Sequence, residues 1–134
     1  MKKAFTLLEM LVVVGIIAVL VSLSIASFST AQKKARDAVR KSDLKTIQAA
    51  LEQYYSVCGY TYPNPAVGNL VPTEIKCADP LTTISSEIPT DPKSGSRYTM
   101  TSSVNGGDYT ICAPNTPPLE TEVSKSTYCL TNQQ

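Results

Sequence analysis

The sequence predicts an α+β fold, in which one long N-terminal helix packs by its second half on a small three-stranded antiparallel sheet. Two observations predict this class. No proline interrupts the chain between Phe5 and Val57, and apolar and polar residues alternate in three short segments near the C-terminus. With 134 residues, the chain has room for one small domain, called the head, beside the helix.

The predicted helix has two unlike halves. Residues 5–28 are apolar on every side except at Glu9, and residues 10–28, called the apolar span, carry no charge. About 20 apolar residues are enough for a helix to cross a bilayer. Residues 29–57 continue the helix as an amphipathic segment, whose apolar stripe is expected to lie on the head. The stripe consists of Leu44, Ile47, Leu51, Tyr54 and Cys58.

The chain after the helix divides into two regions. Residues 58–97 form a predicted connector punctuated by proline and glycine, in which a short helix near residues 81–86 is expected. Residues 98–134 predict an antiparallel sheet and a C-terminal disulfide loop, with a turn at Asn105-Gly106-Gly107. The predicted strands cover residues 98–102, 109–113 and 127–130. Their alternation places six side chains against the helix: Tyr98, Met100, Tyr109, Ile111, Tyr128 and Leu130.

The net charge of +1 hides two regions of opposite sign. Residues 33–45, called the basic band, carry a net charge of +4, and residues 46–134 carry a net charge of −4. An acidic head disfavours direct nucleic-acid binding, and the basic band is expected to be a solvated or headgroup-facing side of the helix. Taken alone, the band would place the head in the cytoplasm, because Lys and Arg near a span favour that side.

The four cysteines argue for an oxidising compartment instead. They lack the paired spacing of a zinc site, and the chain contains no histidine. Disulfides in a small domain outside the cytosol fit them better, and three connectivities are possible. We favour Cys58–Cys77 and Cys112–Cys129, because each pair is close in sequence and local in the predicted fold. No metal or cofactor is predicted, since the acids near the sheet form no dense cluster and residues 91–98 are expected to form a proline–glycine turn.

Glu9 is the residue that points to a function. A carboxylate at the edge of an apolar span is rarely kept without a partner. A peptidase cut after Ala4 would expose a cationic amine on Phe5, four residues before Glu9. The stretch Lys2-Lys3-Ala4-Phe5-Thr6-Leu7-Leu8-Glu9 resembles the leader and cleavage motif of type IV prepilins and the related pseudopilins. Glycine is usual in that family where this chain has Ala4.

The resemblance implies the pilin fold and a sequence of processing steps. A prepilin peptidase would remove the leader, residues 1–4, between Ala4 and Phe5, and the new Phe5 amine would be methylated. An assembly platform would then move the subunit from the lipid of the inner, cytoplasmic membrane into a helical homo-oligomeric filament on the cell surface. In that filament, Glu9 would pair with the Phe5 amine of a neighbouring subunit.

The function implied is that of a structural subunit of a type IV pilus, which serves adhesion, twitching motility or DNA uptake. The alternative within the family is the major pseudopilin of a type II secretion system, or a competence pseudopilus. A secreted or anchored domain with a signal peptide cut before Ser27 is a second class, although Glu9 is unfavourable near the start of such a peptide. An enzyme is not predicted, because the chain lacks histidine and Ser124-Lys125 has no identifiable oxyanion donors.

Overall fold

The computed structural model describes residues 5–79, 81–114, 119–121 and 128–133, without the side chains of residues 25–27. These residues form one helix and two antiparallel sheets, which confirms the predicted α+β class. The predicted leader, with the cleavage residue Ala4, lies outside the described residues. The elements in chain order are α1 (Leu7–Val57), β1 (Ile75–Cys77), β2 (Thr82–Ser85), β3 (Thr99–Ser102), β4 (Tyr109–Cys112) and β5 (Cys129–Thr131).

Helix α1 continues without a break for 51 residues, which corresponds to a length of about 77 Å. It begins at Leu7 rather than at the expected Phe5, because Thr6 is extended and its side chain accepts a hydrogen bond from the Glu9 N–H as the N-cap. It ends at Val57, as predicted. Gly59 follows with a φ of +88°, a left-handed conformation that turns the chain away from the helix axis.

The three-stranded sheet has the order β3-β4-β5, and both pairings are antiparallel. Ile111 lies opposite Met100 on one side and opposite Leu130 on the other. The six side chains predicted to face the helix do so: four are fully buried, and Tyr128 and Leu130 are half-buried against the core. The predicted turn joins β3 and β4, where Gly106 has a φ of +65°.

The connector contains a hairpin, and the short helix expected near residues 81–86 is wrong. Residues Thr82–Ser85 form β2, which pairs antiparallel with β1. Three of the four β2 residues are β-branched, which favours a strand over a helix. The end of β1 is also tied to the helix through Cys77, so a partner strand is held beside residues 82–85.

The core lies between the second half of α1 and the sheets. Leu44, Ile47 and Leu51 have no exposed surface, as the predicted stripe requires. Tyr54 is half-buried beside them, and Cys58 ends the stripe in a disulfide. The residues that close the core from the connector and the sheets are Tyr62, Val71, Ile75, Ile88, Tyr98, Met100, Tyr109, Ile111 and Ala113.

Two disulfides staple this small core, with the connectivity that the sequence favoured. Cys58–Cys77 joins the end of α1 to β1, with 5.5 Å between the two Cα atoms. Cys112–Cys129 joins directly opposed residues of β4 and β5, with 4.1 Å between the Cα atoms. The sulfurs of the second bridge lie on the sheet face opposite the core, because the neighbouring residue Ile111 points inward.

Candidate assembly site and head contact

The first part of α1 makes no packing contact that buries it. Every described side chain from Phe5 to Ala35, called the exposed rod, is exposed to solvent. These residues extend about 45 Å along the helix axis. An 18-residue window of α1 has a mean hydropathy of 2.8, so by length and composition this helix can cross a membrane. An apolar surface of this size needs lipid or other protein to cover it.

Glu9 takes part in capping the N-terminus of α1 in the single chain. Its carboxylate oxygen Oε2 accepts hydrogen bonds from the Thr6 N–H and the Thr6 hydroxyl, each at 2.9 Å. In return, the Glu9 N–H donates to the Thr6 hydroxyl oxygen at 3.2 Å. This reciprocal pattern is a capping box, and it satisfies amide donors that the first helical turn leaves free. The sequence signal was Thr6-Leu7-Leu8-Glu9, and sequence analysis missed it.

Buried ion pairs hold the head to α1 at the end of the head nearest the exposed rod. Arg40 has no exposed surface, and its guanidinium donates to both carboxylate oxygens of Asp91 and, at 2.8 Å, to Asp37. Burial opposes the charge of Arg40, but the hydrogen bonds to Asp91 and Asp37 outweigh it and raise its pKa. Burial likewise opposes the charge of Asp91, yet Arg40 and the N–H groups of Ser94 and Lys93 lower the pKa of Asp91 to about 2.

The same charges bind a short segment of the C-terminal region. Asp37 accepts hydrogen bonds from the N–H groups of Glu120 and Thr121, at 3.0 and 2.9 Å, and from the Thr121 hydroxyl at 2.6 Å. Arg36 forms a bidentate pair with Glu120, at 2.8 and 2.7 Å, and this pair lowers the pKa of Glu120 to about 2. We call Arg36, Asp37, Arg40, Asp91 and Glu120 the ion-pair cluster.

The ion-pair cluster corrects one expectation about the basic band. Arg36, Asp37 and Arg40 were expected on a solvated or headgroup-facing side, but they face the head and bind its acids. The reason is their spacing: positions 36, 37 and 40 continue the apolar stripe toward the N-terminus at three- and four-residue intervals. Lys33, Lys34 and Lys45 are exposed, as expected of the band.

The predicted turn before β3 is present and shares this cluster. Asp91 accepts hydrogen bonds from the N–H groups of Lys93 and Ser94, at 3.0 and 2.8 Å. Gly95, with a φ of +67°, completes the turn by donating its N–H to the Asp91 carbonyl. Both carboxylate oxygens of Asp91 are therefore used by Arg40 and the turn. Within the described ranges, no three acidic, cysteine or histidine side chains are grouped to hold a metal ion.

Several tyrosine hydroxyls anchor the sheet to acids on α1. Tyr98 donates to Asp43 at 2.6 Å, and Tyr62 and Tyr109 donate to the two oxygens of Glu52 at 2.9 and 2.8 Å. Burial and the neighbouring carboxylate raise the pKa of each of these three tyrosines. The hydroxyls therefore stay protonated and act as donors that fix the sheet against the helix.

The structure brings the predicted site residues together only in part. Phe5 and Glu9 both lie at the start of the exposed rod, and Glu9 is bound to Thr6. The pairing of Glu9 with a cut Phe5 amine stays a prediction, because it concerns a processed chain and a neighbouring subunit. The four cysteines lie far from this end, in the head.

Comparison with known proteins bears on the N-terminal region. The family model described as the prokaryotic N-terminal methylation motif matches residues 1–25. No curated protein matches the chain, and no solved structure does. The matched motif covers the leader, the cleavage position, Glu9 and most of the apolar span, and the rest of α1 and the head follow it. The chain therefore carries a class III prepilin leader followed by a long apolar helix, the combination typical of type IV pilins and pseudopilins.

Proposed function

We propose that this protein is a structural subunit of a type IV pilus filament. The observation that supports the proposal is the exposed rod, which follows a methylation motif and has no cover from the described part of the head. A single chain leaves this surface to lipid, and a bundle of such helices covers it with neighbouring subunits. The head, stapled by two disulfides, remains on the outside of the bundle.

The processing steps precede assembly. A prepilin peptidase removes residues 1–4 after Ala4, and the Phe5 amine is methylated. Until then the subunit sits in the cytoplasmic membrane through its apolar span. An assembly platform moves it into a filament at the cell surface, where the filament serves adhesion, twitching motility or DNA uptake.

Glu9 decides the register of assembly in this proposal. Its capping bonds to Thr6 stabilise the helix start in the single chain, but they leave a full negative charge in an apolar setting. A charge in such a setting is strongly penalised unless an opposite charge is nearby. The Phe5 amine of a neighbouring subunit supplies that charge only at one stagger of the helices, so other staggers are disfavoured.

The experiment separates the charge of Glu9 from its capping role. Glu9→Gln keeps a capping-box acceptor, because glutamine serves at this position, but it removes the charge. Thr6→Ala removes the hydroxyl that caps and keeps the charge. We expect Glu9→Gln to insert in the membrane and to form no filaments, and Thr6→Ala to form them. Glu87→Gln, an exposed acid on the head, is the matched control.

The readouts are electron microscopy of sheared surface material and sequencing of the mature N-terminus. Wild-type protein should begin at Phe5 with one added methyl group. Normal filaments from Glu9→Gln, or a loss of filaments in Thr6→Ala alone, would refute the register role. A mature chain that begins at Ser27 would refute the whole proposal and indicate a secreted domain.

The pseudopilin alternative shares its sheet-entry loop with the pilus interpretation. Residues 91–98 resemble the loop that enters the sheet in pseudopilins and small pilins, and the structure forms a tight turn there, so this loop does not separate the two functions. Deletion of the gene distinguishes the two functions: a pilus subunit is needed for long surface fibres, and a major pseudopilin is needed for protein secretion. A secretion defect without loss of surface fibres would favour the alternative.

A further inference from the structure

The end of the head nearest the exposed rod is basic, although the head as a whole is acidic. Lys33 and Lys34 lie three and two residues before Arg36, which makes the first contact with the described part of the head. Lys93 belongs to the same end, because its Nζ lies 3.3 Å from the Glu120 oxygen that also binds Arg36. We call Lys33, Lys34, Arg36 and Lys93 the basic underside.

The basic underside presents positive charge outward. Lys33 and Lys34 are exposed, and neither has a hydrogen bond or ion pair with another described residue. Half of the Lys93 side chain is exposed, whereas Glu120 is 8% exposed and lies between Arg36 and Lys93. Among the described residues of this end, the carboxylate of Glu120 is therefore covered, and Lys33, Lys34 and half of Lys93 are exposed to solvent.

The spacing along α1 places these lysines at a particular depth. The apolar span of 19 residues is about 28 Å long, close to the hydrocarbon thickness of about 30 Å. Lys33 follows the last residue of the span, Phe28, by five positions, which is about 7.5 Å. Each headgroup layer is about 5–7 Å thick. In an inserted helix, Lys33 and Lys34 therefore lie level with the lipid phosphates, with the head directly above.

We propose that the basic underside binds the phosphates of anionic phospholipids in the leaflet that the head faces, before the subunit enters a filament. This inference rests on the membrane-inserted stage of the proposed function. The lysine ammonium groups act as point charges that attract phosphate, and neither has to break an existing ion pair to do so. The contact also offsets the repulsion between an anionic membrane surface and the −4 charge of residues 46–134.

The test compares two double variants that remove the same number of charges. Lys33→Gln with Lys34→Gln removes the two free lysines of the underside. Lys45→Gln with Lys76→Gln removes two exposed lysines farther along the molecule, since Lys45 lies three turns up α1 and Lys76 adjoins the disulfide at the helix end. The second variant is the matched control.

The full-length protein in non-ionic detergent is titrated with phosphatidylglycerol or with phosphatidylcholine of the same acyl chains, and bound lipids are counted by native mass spectrometry. Wild type and control should prefer phosphatidylglycerol. The underside variant should lose this preference by about 30-fold, the factor that corresponds to roughly 1 kcal/mol for each lysine near an anionic surface. Wild-type preference should also weaken as salt is added.

Three results would overturn the proposal. The first is an underside variant that keeps the wild-type lipid preference; if that variant also forms no filaments, the lysines are assigned to contacts with a second copy of the chain. The second is a control that loses as much preference as the underside variant. The third is displacement of the lipid by inorganic phosphate at the same concentration, which would indicate a site for a soluble anion.

The outcome is distinguishable from that of the proposed function. If the lipid preference is absent but the mature chain begins at Phe5 and forms filaments, only the lipid proposal fails. If the wild-type chain does not begin at Phe5 or forms no filaments, the pilus proposal fails, and the lipid measurement still reports on the underside.

Discussion

Replacement of Arg40 by methionine is expected to destabilise the head strongly near neutral pH. The Arg40 side chain is fully buried and donates to Asp91 and Asp37, which are 2% and 4% exposed. Methionine fills much of the same volume and carries no charge, so the variant leaves two buried carboxylates without their cation. The main effect is therefore the cost of unpaired charges rather than of a cavity.

The size of the effect follows from the burial and from the pKa of Asp91. Removing one partner of a buried ion pair costs about 3–5 kcal/mol. The fall in the pKa of Asp91 from 3.8 to about 2 corresponds to about 2 kcal/mol from this carboxylate alone. Asp37, whose pKa is also lowered, adds to it. We therefore expect Arg40→Met to lower the free energy of unfolding by about 3–5 kcal/mol at pH 7.

The loss of stability in Arg40→Met should depend on pH in a definite direction. Asp91 has a lowered pKa in the folded protein, so its contribution is fully present above its unfolded pKa of 3.8 and is lost as the pH falls through about 2. Without Arg40, the folded carboxyl takes up its proton at a higher pH and the penalty of an unpaired charge disappears. The deficit of Arg40→Met should therefore be largest near neutral pH and should shrink as the pH falls below about 4.

Urea unfolding of the full-length protein in detergent, with disulfides intact, measures the effect. The chain has seven tyrosines and no tryptophan, so near-ultraviolet circular dichroism of the tyrosines reports on the head. Arg97→Met is the matched control: Arg97 is half-buried, and within the described residues its guanidinium donates one hydrogen bond, at 3.4 Å to the Val71 carbonyl, so we expect a loss below about 1 kcal/mol.

Two results would refute this account of Arg40. One is a deficit that stays constant between pH 7 and pH 3, because an effect of packing alone does not depend on carboxylate protonation. The other comes from adding Asp91→Asn to Arg40→Met. Asparagine keeps the oxygen that accepts the turn N–H groups and removes the charge, so the double variant should regain part of the lost stability. No recovery would contradict the role assigned to the unpaired charge.

Two further predictions concern the stability of the head. Gly106→Ala should lower the free energy of unfolding in urea by about 2 kcal/mol, because φ is +65° and a Cβ atom would lie 3.3 Å from the Tyr62 carbonyl oxygen. Gly107→Ala is the control, since a Cβ atom there meets only Ser103 Oγ at 3.9 Å; equal losses in the two variants would contradict the reasoning. Replacing Cys58 and Cys77 together by serine opens a link of 19 residues and should lower the free energy of unfolding by about 3 kcal/mol. The same unfolding curve measures this loss, and a value under about 1 kcal/mol would show that the bridge adds little.

Much of the fold was predictable from local patterns. The helix follows from an uninterrupted run without proline, and its stripe of Leu44, Ile47 and Leu51 follows from the three- and four-residue spacing. The strands at β3 and β4 follow from strict alternation around a glycine turn. These features are set by short-range geometry, and one sequence is enough to read them.

The missed features depend on contacts between distant residues. The β1–β2 hairpin consists of strands of three and four residues, too short for a clear alternating pattern, and β1 is joined to the end of α1 by the Cys58–Cys77 bridge. The ion-pair cluster joins Arg40 to Asp91, which lies 51 positions later. A charged residue on a helix stripe normally indicates the end of the buried face. Only the acids of the head, brought to that place by the fold, make burial of Arg40 favourable.

The order of contacts along α1 explains how one helix serves two purposes. From Leu44 onward the head is held by apolar packing, which is strong but has little directional preference. If that apolar stripe continued into the exposed rod, neighbouring helical turns would present similar apolar surfaces, and the head could pack at more than one position along α1. The ion-pair cluster stands between the two, and bidentate pairs such as Arg36–Glu120 are satisfied in only one geometry. The cluster therefore fixes the turn at which the head stops and leaves the whole rod before it for lipid or for neighbouring subunits.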